Sequence, residues 1–177
     1  MIAAAFLASA SVLLQVGPFL GVAYAQDGRV REIQVAGNRR VEPETVRSYL
    51  SFQVGDVYDA GKSDKSLRSL FATGLFSDVK IDRQGNGVVL ISVVENPVIN
   101  QIAFEGATEV EKATLQGEIQ LKPRAVFTRA KVQADVQRIL DVYRRQGRYA
   151  ATVEPKIIEL DQNRVNLVFE IREGAAT

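Results

Sequence analysis

The sequence predicts an α+β protein of two tandem units, each a three-stranded mixed sheet covered on one face by two helices. Three observations carry this. First, the chain repeats itself. Ile33-Gln-Val-Ala-Gly-Asn38 returns as Ile102-Ala-Phe-Glu-Gly-Ala107, Val46 as Leu115 and Leu50 as Ile119, all 69 residues on. Second, each unit shows the same succession of apolar periods, 2 for a strand, 3.6 for two helices, then 2 twice more. Third, turn and cap residues stand at the joints between those periods.

Ahead of the first unit, no charged side chain precedes Asp27. An apolar run from Met1 to Leu14, a break at Gly17-Pro18 and Ala23-Tyr24-Ala25 follow the pattern of a secretory signal peptide over 1–25, cut before Gln26. No Lys or Arg stands near Met1, as such a signal ordinarily has. The competing reading is a membrane anchor, but the unbroken apolar run is shorter than the roughly 20 residues a bilayer requires.

The first unit is expected over 28–96. Ile33 and Val35 alternate with Glu32 and Gln34 as a strand, which Gly37 ends. Pro43 suits the first position of a helix whose buried pair is Val46 and Leu50. Asp59 suits the N-cap of a second helix with a buried stripe of Leu67, Leu70 and Phe71, and Gly74 suits its left-handed end. A hairpin then turns at Gly85-Asn86-Gly87. Its second arm, Val88 to Val94, is apolar at nearly every position, which marks a central strand. Glu95-Asn96-Pro97 forms a short link.

The second unit is expected over 97–174. Ile102 and Phe104 mark its first strand, ended by Gly106, and Leu115 and Ile119 its first helix. Thr128 caps a second helix with the stripe Val132, Val136, Ile139, Leu140 and Tyr143. Gly74-Leu-Phe76 corresponds to Gly147-Arg-Tyr149 at a spacing of 73, so the second helix has gained four residues, about one turn. The hairpin turns around Asp161-Gln162-Asn163. Its first arm carries Pro155, and proline is largely confined to edge strands. The third strand of each unit is therefore placed centrally and the second at an edge.

Composition limits the chemistry. The 177 residues contain no His and no Cys. That excludes a Ser-His-Asp triad, a cysteine nucleophile and zinc sites of the usual ligands. Lys and Arg total 22 against 21 Asp and Glu, which argues against broad electrostatic binding of nucleic acid. Ser77-Asp-Val-Lys80 fits S-x-x-K, but at a strand start and without companion motifs. Gly85-Asn86-Gly87 lacks the last glycine of a dinucleotide loop, and Asp82-Arg-Gln-Gly-Asn86 lacks the glutamate of a calcium loop. Neither enzymatic activity nor a cofactor is expected.

The markers Ile33-Gln-Val-Ala-Gly-Asn38, Gly55-Asp56, Leu70-Phe-Ala-Thr-Gly-Leu-Phe-Ser-Asp-Val79 and Val94-Glu-Asn-Pro97 in the first unit resemble the polypeptide-transport-associated (POTRA) repeats of outer-membrane barrel assembly factors. Ile102-Ala-Phe-Glu-Gly106, Tyr143, Gly147-Arg-Tyr149 and Phe169-Glu-Ile-Arg-Glu-Gly174 do so in the second. The resemblance implies the first and second repeats, with 175–177 beginning a third, and a membrane barrel that this chain does not carry. It implies a periplasmic, non-enzymatic scaffold that binds unfolded outer-membrane proteins and docks accessory lipoproteins. Two alternatives stay open: the corresponding region of a two-partner secretion translocator, and a rigid spacer that binds no substrate.

An exposed strand edge offers unpaired N–H and C=O groups to which an extended chain adds with little regard to its sequence. The candidate docking edges are therefore Val79, Lys80, Ile81, Asp82 and Arg83 in the first unit, and Lys156, Ile157 and Ile158 in the second. Charges along both strands also serve as ordinary protection against aggregation. Arg144, Arg145 and Arg148 read first as a solvated basic helix end that complements the helix dipole, with a polar contact patch for anionic lipid or an acidic partner as the alternative.

Overall fold

The computed structural model describes residues 28–175; the expected signal peptide and the last two residues lie outside them. The first unit runs β1 (Glu32–Ala36), α1 (Pro43–Ser48), α2 (Ala60–Ala72), β2 (Phe76–Arg83) and β3 (Val88–Glu95). The second repeats it as β4 (Val98–Glu105), α3 (Lys112–Glu118), α4 (Arg129–Arg145), β5 (Thr152–Leu160) and β6 (Arg164–Arg172). The strand orders are β1-β3-β2 and β4-β6-β5. In each sheet the last strand is central, parallel to the first and antiparallel to the second.

Local chemistry sets the boundaries. The Asp59 and Thr128 side chains accept hydrogen bonds from the Lys62 and Lys131 backbone N–H groups, satisfying donors that the first helical turn leaves open. Gly74 and Gly147 take φ of 69° and 77° just beyond α2 and α4. The two first helices are shorter than the apolar pairs suggested. α1 ends before Leu50, and Ile119 caps the end of α3. Both residues still pack on the cores.

Each unit has its own core beneath its helices. Val46, Leu70, Val79, Val89, Ile91 and Val93 build the first; Leu115, Ile139, Tyr143, Leu167 and Phe169 anchor the second, where Phe104 and Phe169 stack 5.7 Å apart. In β3 only alternate residues are buried, and Val94 is exposed. The nearly continuous apolar run therefore does not mark burial on both faces, since the outer one is half-buried to exposed.

Two expectations about packing are corrected. Phe71 is not part of the buried stripe: it is 44% exposed, at the end of α2 that meets the second unit. Tyr149 does not take the place of Phe76. It is 71% exposed, whereas Phe76 is buried. The register gives that place to Val153, which pairs with Ile171 as Phe76 pairs with Glu95.

Carboxylates, buried in the first unit and half-buried in the second, tie loops to the sheets. The backbone N–H groups of Arg39, Arg40 and Val41 all donate to the Glu95 carboxylate, which the Arg40 guanidinium also reaches at 3.2 Å. In the second unit the Thr108 and Glu109 N–H groups, the Thr108 hydroxyl and the Tyr143 hydroxyl donate to Glu173. Burial opposes ionisation of both carboxyls, but these donors outweigh it. They hold Glu95 below its ordinary value and bring Glu173 to about 2. Burial, then the bond to Glu173, pushes the Tyr143 hydroxyl well above its usual range. A second repeated tie joins each second helix to the segment that follows the first helix. Ser66 Oγ accepts from Ser51 N–H at 2.8 Å, and at equivalent positions the fully buried Asp135 accepts from Gln120 and Leu121 N–H.

Gly37 and Gly106 admit no side chain. Their φ values are 84° and 78°, and a Cβ at either would stand 2.1 Å from the carbonyl oxygen of Val93 or Ile171. Gly106→Ala should therefore cost at least about 2 kcal/mol in urea unfolding. Gly117→Ala, in an open position of α3, should be neutral or slightly stabilising. Because the folded state lowers the Glu173 carboxyl from 4.5 to about 2, the unfolded chain binds more protons between those values. Stability from this group is complete above about pH 5 and falls as pH drops toward 2. Glu173→Gln should make the acid limb of a stability-against-pH profile shallower.

Candidate functional site

Because the third strand of each unit is central, each sheet keeps two outer strands. β2 pairs only with β3, and β5 only with β6. Among the described residues neither outer border carries another strand, so both present backbone donors and acceptors along one side.

The predicted docking residues fall on these borders. On β2, Val79 is buried in the core, Ile81 is half-buried, and Lys80, Asp82 and Arg83 are exposed. Arg83 lies over the Tyr58 ring, 5.6 Å from its centroid. What Ile81 offers a visitor is therefore mainly backbone, whereas the Val79 N–H already donates to the Asp78 carboxylate at 3.0 Å. On β5, Ile157 and Ile158 are 44% and 50% exposed, and point to opposite faces. The Lys156 ammonium bonds Glu170 across the sheet, and that bond holds it above its usual value. Pro155 deprives this border of one N–H, whereas β2 contains no proline. A register shift between Phe76 and Asp78 places a bulge at Ser77.

The opposite border of the first sheet is less open. The Arg47 guanidinium donates to the Ile33 carbonyl of β1 at 3.0 Å.

The basic residues around the end of α4 have acidic neighbours. Arg144 pairs with Asp141 at 2.9 Å, Arg145 with Glu118 at 3.0 Å and Arg148 with Glu109 at 2.8 Å. Arg148 also donates to the Gly174 carbonyl. They are spread over separate partners rather than gathered into one open cluster.

The meeting of the units was not legible in either unit alone. The Asn163 side chain, in the β5–β6 turn, donates to the Glu95 carbonyl at 3.0 Å. Asn96 returns its backbone and side-chain N–H groups to Leu75 and Gly74. Beside this link lies a groove of about 640 Å³, walled by Phe71 and Phe76 from the first unit and Phe127, Ala130 and Ile157 from the second. Ser77 of β2 and Glu159 of β5 also line it, so it touches both borders.

Comparison with known proteins accords with this geometry. The family model for POTRA, described as surface antigen variable number repeat, matches residues 28–96 and 97–174. The outer membrane protein assembly factor BamA of Neisseria meningitidis serogroup B is 31% identical over 95% of this chain and 21% of its own length. BamA of Nitratidesulfovibrio vulgaris is 28% identical over 87% of this chain and 18% of its own. The chain thus spans about a fifth of these relatives. Among solved structures, the N-terminal domain of Omp85 from Thermosynechococcus elongatus superposes with a TM-score of 0.61 at 19% identity, over 83% of this chain and 63% of that one. The first two POTRA domains of Anabaena Omp85 give 0.55 at 19% identity, over 84% and 97%. These two likenesses concern the fold.

The bonds around residues 95–97 should make the units tumble together. Nitrogen-15 relaxation is expected to give one rotational correlation time for both; two separate times would show that the link moves freely.

Proposed function

As a member of the POTRA family, this chain supplies two repeats which, we propose, serve outer-membrane protein assembly by receiving unfolded barrel proteins in the periplasm. The visiting segment adds as a strand to the free border of β2, over Val79, Lys80, Ile81, Asp82 and Arg83. It adds to that of β5 at Lys156, Ile157 and Ile158. Accessory lipoproteins dock on the same scaffold. The activity is binding and delivery rather than catalysis.

One observation carries the reading: β2 and β5 are each paired on one side only. Main-chain bonding tolerates varied side chains, which suits a receptor for many precursors. The likeness to BamA proteins supports the cellular setting. Between the two borders, β2 is the better acceptor, because its eight residues hold no proline. A second reading, a rigid spacer, draws support from the bonded link at Asn96 and Asn163.

Backbone recognition has a distinctive signature. A peptide of alternating apolar and polar residues from a barrel strand should bind the chain and crosslink to a photoreactive residue placed at Lys80. The same peptide N-methylated at alternate amides keeps its side chains but loses one row of donors. It should bind at least about tenfold more weakly. Equal binding of the two peptides would exclude strand addition, and no binding of either would leave the spacer reading.

A further inference from the structure

The groove between the units has the features of a side-chain pocket rather than a structural gap. At about 640 Å³ it falls within the roughly 300–1,000 Å³ range of ligand clefts. Its walls are mostly apolar, and two of them, Phe71 and Ile157, remain 44% exposed although the helix and strand periods direct both toward a core. Arg129 and Glu159, of opposite sign, are its charged lining residues, so it presents little net charge to an occupant.

Its position relative to β5 says what fills it. Val153, Ile157 and Glu159 share one face of that strand by the alternation of the pleat. Val153 is buried under its own unit, whereas Ile157 and Glu159 line the groove. A strand laid along β5 turns every second side chain to that face, next to its β5 neighbours. We infer that the groove receives a bulky apolar side chain, aromatic by preference, from the segment added to β5, and so selects among visiting strands by register and by the residue at one position. Strands destined for a membrane barrel alternate apolar and polar residues and carry aromatic residues near the membrane interfaces, so they offer this side chain regularly.

The inference rests on strand addition, and the test separates the two. Two ten-residue peptides, alternating Val and Thr with lysines at the ends, differ only at one central position, Phe or Ser. Fluorescence anisotropy measures their binding to the full chain and to its Phe71→Ser and Ile157→Thr variants. Both replaced residues are exposed, and matched urea midpoints verify folding. The Phe peptide should bind the unaltered chain about tenfold more tightly, since one buried aromatic side chain is worth at least that step. Phe71→Ser, off both borders, should lose this preference while holding the Ser peptide as before, and Ile157→Thr, on the docking border itself, should lose the preference whatever its effect on the Ser peptide. Equal binding of the two peptides, or a preference that survives both substitutions, would overturn the pocket and leave strand addition standing. Failure of both peptides to bind would remove both.

Discussion

Both units depend on one close approach. The chain leaving the first strand must turn directly against the end of the central strand, and Gly37 and Gly106 are the residues that fit there. That turn exposes backbone N–H groups to a crowded, partly dry region, where an unpaired donor is costly. A single carboxylate from the far end of the central strand, Glu95 or just beyond it Glu173, gathers them. Order in the turn thus fixes where the first strand ends, which fixes its parallel register with the third. The third strand is then locked in the middle, and the second is left outside. The free borders are a consequence of this packing.

The two clamps are completed differently. In the first unit the Arg40 side chain supplements the backbone donors. In the second, Tyr143 does so from α4, within the turn by which that helix exceeds α2. A longer helix and a larger core therefore go with a different partner for the same carboxylate. The tie from each second helix to the segment after the first varies in the same manner, with Ser66 in one unit and Asp135 in the other receiving equivalent N–H groups.

Much of the fold was legible because the signals were local. Asp59 and Thr128 announce helix starts, Gly74 and Gly147 helix ends, and Pro155 an edge strand. The spacing of 69 residues exposed the repeat without reference to any partner. Phe71 was misread because its helical period is genuinely that of a core residue; what removes it from the core is the end of its own unit, which no period within α2 records. Tyr149 was misread because the residues between α4 and β5 do not keep the spacing on either side of them. Glu95, Glu173 and Asp135 look like ordinary surface acids in a one-dimensional reading. Their roles arise from donors 14 to 65 residues away. The borders were legible in outline, through alternation and proline, but the groove needed both units at once.

The difference in length between α2 and α4 has a consequence of its own. The helices have 13 and 17 residues. Four residues advance a helix by about 6 Å and by little more than one full rotation, so the inward stripe is nearly restored after the addition. An insertion of one or two residues would instead swing polar positions inward. Growth of such a module is thus quantised: descendants of an ancestral duplication can drift in size by whole helical turns while keeping the same surface toward their sheet.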